Sequence, residues 1–89
     1  MVNHPRQVKG FNGSLDELAC AIGNMTYDQT AEVIGKLADD LKRQADADHA
    51  RGRVKLATEL YATAERLYSS RDRMNAAWTI CIPYMNDSK

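Results

Sequence analysis

Two histidines, two cysteines and twelve acidic residues are the side chains from which this 89-residue chain could build a reactive or metal-binding site. Metal chemistry needs three or four such groups to converge. Asp46, Asp48 and His49 stand closest together. On a helix, residues two apart project from different faces, so these three diverge. His4 stands in the N-terminal arm and His49 beside a turn, and no spacing pairs them. Cys20 and Cys81 lack the C-x-x-C spacing of a metal or redox motif. Each falls on an apolar helical face, where a free cysteine acts as a small buried hydrophobe. The five glycines are scattered singly. No phosphate-cradling loop, H-E-x-x-H, nucleophile elbow or EF-hand loop is written in the chain. The expectation is a non-enzyme with no cofactor and no metal.

Binding of nucleic acid is the next chemistry to weigh. Twelve Lys+Arg balance twelve Asp+Glu, a net charge of zero, which argues against a polyanion covering the whole surface. Arg51, Arg53 and Lys55, with Arg6 and Lys9, form a small basic patch suited to weak, salt-sensitive phosphate binding. Residues 15–38 have the outline of a helix-turn-helix: a short apolar helix, Gly23 at the turn, then a second helix. That second helix opens with Tyr27, Asp28, Gln29, Thr30 and Glu32 and has no basic residue before Lys36. Its acidic groups would face phosphates. A DNA-binding regulator is therefore the alternative reading. The N-terminus has no apolar run of signal-peptide length, and no window reaches the roughly 18 apolar residues of a membrane span. A cytoplasmic protein without a membrane partner is expected. The N-x-S/T triplets at Asn12, Asn24 and Asn86 then read as chance.

The elements that would position these residues are all helical. Residues 1–13 hold Pro5, Gly10 and Gly13 without periodicity, and read as a flexible arm, with Phe11 tucked onto the first helix. Ser14-Leu15-Asp16-Glu17 is a capping box, and Leu15, Leu18, Ala19 and Ile22 share a face. Gly23 or Asn24 would end this helix in a left-handed conformation. Thr26-Tyr27-Asp28-Gln29 is a second capping box. The helix after it carries the seam Tyr27, Ala31, Ile34, Ala38, Leu41, Ala45, and stops near a turn at 50–53, where Gly52 suits the position past the end. An unbroken helix through Gly52 is the competing reading. Residues 54–68 form the clearest helix, with a seam of Val54, Ala57, Tyr61, Ala64, Tyr68 and a second of Leu56, Leu60, Leu67, Met74. Pro83 stops the last helical run, which either continues from the third helix or begins afresh at Ser69-Ser70-Arg71-Asp72.

Alanine recurs every seventh residue at 31, 38 and 45, and again at 57 and 64. Small residues once per heptad let two antiparallel helices approach closely. An αα-hairpin over residues 27–69 follows, with Ala38 near Ala57 and with Tyr61 and Tyr68 lying over alanines. The fold expected is all-α, a small three- to four-helix bundle over residues 14–82 built on that hairpin, with a short tail at 83–89. Residues 14–50 carry three basic and eight acidic groups, and residues 51–89 seven basic and four acidic, so the acidic half is expected to dock on the basic half.

An ordinary surface helix has one apolar stripe. The third has two, so its leucine seam is left for another partner. The expected function is a protein-binding module, a small adaptor, inhibitor or regulator that occupies a partner's surface as a homodimer through Leu56, Leu60, Leu67 and Met74. Trp78 and Tyr84 join this surface as aromatic candidates, with core packing of Trp78 under Tyr84 as the competing role.

Overall fold

The computed structural model describes residues 4–87, without the side chains of Asn86 and Asp87. Three α-helices follow one another: α1 (Leu15–Gly23), α2 (Tyr27–Ala50) and α3 (Val54–Cys81). A 3-10 stretch, Ile82–Asp87, succeeds them. The described residues contain no strand. Asn3, Ser88 and Lys89 lie outside the described residues, as does the third position of the Asn86 triplet.

Ser14 opens α1 as the sequence implies. Its hydroxyl accepts from the Glu17 amide at 3.1 Å, and its own amide donates to Glu17 Oε1 at 2.7 Å. The Ser14 amide, chiefly, and then the Ser14 hydroxyl hold the Glu17 carboxyl below the usual carboxylate range. The other end of α1 departs from expectation. Asn24 is right-handed, with φ −86°, and neither it nor Gly23 has a positive φ. The Thr30 hydroxyl donates to the Ile22 carbonyl at 2.7 Å, so an end carbonyl is satisfied from the next helix and no left-handed cap is needed. The second capping box does not form either. Thr26 makes no side-chain cap bond; its carbonyl accepts from the Gln29 and Thr30 amides.

The turn between α2 and α3 is made by Arg51, Gly52 and Arg53. Gly52 has φ +82°. Its amide donates to the His49 carbonyl at 3.0 Å, and the Arg53 amide donates to Asp48 at 2.8 Å. This pair of bonds closes a helix C-terminus around a left-handed residue, which is why glycine stands there. α3 then runs unbroken through Ser69-Ser70, so those serines cap nothing.

α2 and α3 lie antiparallel along most of their length, while α1 packs only on α2. The core between the two long helices is the heptad alanines: Ala31, Ala38, Ala45, Ala57 and Ala64 are at most 2% exposed. Among the described residues no large side chain is fully buried. The Tyr61 hydroxyl donates to Asp46 and the Tyr68 hydroxyl to Asp39. A step of seven along α3 is thus matched by a step of seven back along α2. That register sets Ala45 by Ala57 and Ala38 by Ala64. Ala38 and Ala57, expected together, are a heptad out of step, about 10 Å along the axis. The third position of the α3 repeat is Arg71, and it passes over Gly35. A Cβ on Gly35 would stand 2.9 Å from the Arg71 Cδ.

Among the described residues the one ion pair that joins the acidic half to the basic half is local to the turn, so the halves do not dock along the helices through such pairs. Lys36–Glu32, Arg43–Asp40 and Arg71–Asp72 are neighbours on one helix, and Arg53–Asp48 spans only the turn. The long-range polar contacts between the helices are the two tyrosine–aspartate bonds. Local pairs form first because helical spacing already holds such groups together.

The molecule is flat. Its extents are 53 × 29 × 14 Å, and 14 Å is little more than one helix with its side chains. Its radius of gyration is 16.0 Å. A compact domain of this length would have about 12 Å.

Candidate interaction surface

The hairpin has two long flanks, and helical phase decides what each carries. Residues three and four beyond a buried position fall on opposite sides of it. Tyr61 is four beyond Ala57, and Leu60 three. The same holds for Tyr68 and Leu67 beyond Ala64. On α2, Asp39 and Asp46 each follow a buried alanine and meet the tyrosines. Leu37 and Gln44 each precede one, and Leu41 lies three beyond Ala38. One flank is therefore polar, closed by the tyrosine–aspartate bonds. The other is apolar, with Ile34, Leu37 and Leu41 from α2 and Leu56, Leu60, Leu67, Met74 and Trp78 from α3.

The polar flank is built by hydrogen bonds. Accepting the phenol protons, Asp46 and Asp39 push Tyr61 and Tyr68 above the ordinary phenol range. The Arg71 guanidinium lies 5.0 Å from the centre of the Tyr68 ring, a cation–π contact, and pairs with Asp72 at 3.0 Å.

The apolar flank is incompletely covered. Leu60, Leu67, Met74 and Trp78 are half-buried, Leu56 is 37% exposed and Leu37 48%. Ile34 and Leu41 are half-buried. Five of the six residues anticipated as a binding surface, Leu56, Leu60, Leu67, Met74 and Trp78, lie on this flank. Tyr84 does not cover Trp78: it stands 66% exposed in the 3-10 stretch, and it is Met85 that shares a groove with Trp78, Cys81 and residues 23–27. The α2 contribution was missed from the sequence. Its signal is Ile34, Leu37 and Leu41 at helical spacing beside the alanines, read there as a single inward seam.

At the turn end the apolar flank opens into a groove of about 550 Å³. Ala47, Leu56 and Leu60 give it an apolar floor; Arg43, Arg51 and Arg53 stand around it with Asp48 and His4. Arg53 binds Asp48 at 3.0 Å and Arg43 binds Asp40 at 2.8 Å, so of the three arginines in the groove Arg51 has no ion-pair partner among the described residues. The Asp40 carboxyl is lowered, chiefly by its Arg43 bond and then by Gln44. Lys55 of the basic patch lies outside the groove lining, on the exposed side of α3.

The remaining chemistry-bearing residues stay apart. Cys20 is exposed, against expectation, because α1 meets the hairpin with Leu18 and Ile22 and turns Cys20 outward. Cys81 is half-buried. Among the described residues no three His, Cys, Asp or Glu side chains are grouped to hold a metal ion. Phe11 lies beside Ser14 and Leu15 at the start of α1. No helix among the described residues is long and apolar enough to cross a membrane.

Comparison with protein families, curated proteins and solved structures finds no match to this chain.

Proposed function

We propose that this chain is a non-enzymatic protein-interaction module that pairs with a second copy of itself through the apolar flank. The resulting dimer acts as a small adaptor, inhibitor or regulator by occupying another protein's surface. The observation that carries this reading is the excess of surface. The chain exposes 7132 Å². A compact monomer of 10.0 kDa exposes about 5,200 Å². The surplus, about 1,900 Å², is more than twice the ~800 Å² each partner commits to a standard interface. A hairpin one layer thick whose buried side chains, among the described residues, are all small ones has half of a helical bundle. Two such hairpins laid flank to flank supply the other half and cover Leu37, Leu41, Leu60 and Leu67 at once.

Sedimentation velocity at tens of micromolar tests the pairing. The native chain should run as a dimer, and Leu60→Asp as a folded monomer. A native chain that stays monomeric and is indifferent to Leu60→Asp defeats the reading. The DNA-binding alternative through residues 15–38 is disfavoured by charge: Asp16, Glu17 and Glu32 are exposed there with no basic residue before Lys36. A gel shift that binds duplex at about 50 mM salt and releases it steeply as salt rises would revive it.

A further inference from the structure

We infer that α1 of each copy docks into the turn-end groove of the other, so that the dimer is reciprocal and its two hairpins run antiparallel. This rests on the self-association reading above and adds its geometry. Helix α1 is poorly used within its own chain. None of its residues is buried, Leu15 is 68% exposed, and Asp16, Ala19 and Cys20 are exposed beside it. Leu15 and Ala19 are one turn apart, as are Asp16 and Cys20, so an apolar pair and the Asp16 carboxylate share the outward face. The helix carries two acidic groups and no basic one.

The groove has the complementary character. Its lining holds three arginines against one aspartate, over a floor of Ala47, Leu56 and Leu60. It spans residues 43–51, at the end of α2, and 53–60, at the start of α3, about 10 Å of helix, and α1 is about 14 Å long. An acidic, apolar helix of two to three turns fits such a site in size and in charge.

The helix cannot reach its own groove. It is tethered at the far end of α2, where Thr30 bonds Ile22, and Thr30 and Ala47 are about 25 Å apart along the axis. The connection, residues 24–26, spans at most about 11 Å. His4 of the chain's own arm reaches the groove edge, but an α1 in the groove must come from a second chain, and a twofold axis then satisfies both grooves together.

Charge exchange tests this directly. Asp16 lies outside the Ser14–Glu17 cap and Arg51 outside every ion pair described. Asp16→Arg and Arg51→Asp should each weaken the dimer by on the order of tenfold. Mixing the two variants should restore it to within about threefold of the native chain, because each mixed dimer has one native and one reversed pair and no like-charge contact. Circular dichroism of each variant reports that it is folded. Independently, Cys20 should form a disulfide between chains with Ala47→Cys in a Cys81→Ser background under mild oxidation, whereas Lys42→Cys, four beyond Ala38 on the polar flank, should not. A dimer in which Cys20 fails to link to position 47, and in which mixing restores nothing, overturns the docking of α1 but leaves self-association standing. A chain monomeric at all concentrations overturns both.

Discussion

Tyr61 and Tyr68 set the pH behaviour of the polar flank. Their hydrogen bonds to Asp46 and Asp39 favour the protonated phenol, so the folded-state pKa of each is raised. The contribution to stability is complete below the ordinary phenol pKa. Above it the unfolded chain gives up its protons first, and stability falls until the raised folded values are passed. Alkaline thermal melts should therefore lose stability with rising pH, and Tyr61→Phe/Tyr68→Phe should flatten that slope; an unchanged slope would show the bonds absent in solution. Glu17 and Asp40 work in the other sense. Their lowered carboxyls contribute above the ordinary carboxylate range, and that contribution is lost as pH falls through it. Ser14→Ala removes the acceptor in the α1 cap at about 1 kcal/mol. Amide exchange over residues 15–23 should quicken while that of α3 does not change.

The hairpin is held by a seam with no room in it. Ala38 and Ala64 are fully buried at one level of the register, so Ala38→Leu has to drive the two helices apart. It should destabilise by about 1–3 kcal/mol in chemical denaturation. Leu56→Ala on the open flank should leave the helical fold intact and weaken self-association. Gly52 is needed for its φ of +82°, and Gly52→Val should cost about 1–2 kcal/mol, since a side chain there meets the following carbonyl. Gly35 serves another purpose. Its missing Cβ is where the Arg71 chain passes, which lets a large cation stand at the third position of a repeat otherwise filled by alanine. Arg71 thereby reaches the Tyr68 ring and Asp72.

The whole molecule exposes more surface than a folded chain of its mass needs, and its stability should therefore depend on its neighbours. If folding and pairing are coupled, the melting temperature rises with protein concentration. Scanning calorimetry over a hundredfold range of concentration should show that rise for the native chain and a flat response for Leu60→Asp. A native melting temperature that does not move with concentration would mean the single layer is stable by itself. Added salt should weaken the docking of Asp16 against Arg51 more than it weakens burial of the leucines, so the dimer loosens with salt without dissociating outright.

What the sequence determined by itself was local. Ser14-x-x-Glu17 wrote the start of α1, Gly52 the turn, and alanine every seventh residue the close antiparallel pair, because each depends on side chains a turn or a heptad apart. Helical phase also set Leu56, Leu60, Leu67 and Met74 apart from the alanine seam. The register was not legible: a heptad repeat fits equally well when slipped by seven, and only the bonds from Tyr61 to Asp46 and from Tyr68 to Asp39 show which alanines meet. Nor did Thr26-Tyr27-Asp28-Gln29 reveal that its cap would go unmade, since the Gln29 amide bonds the Thr26 carbonyl and not its hydroxyl. Whether α1 would fold over the leucines was likewise a matter of tertiary placement. It lies against α2 alone, and the apolar flank stays open because three short linking residues hold that helix at the end far from the turn.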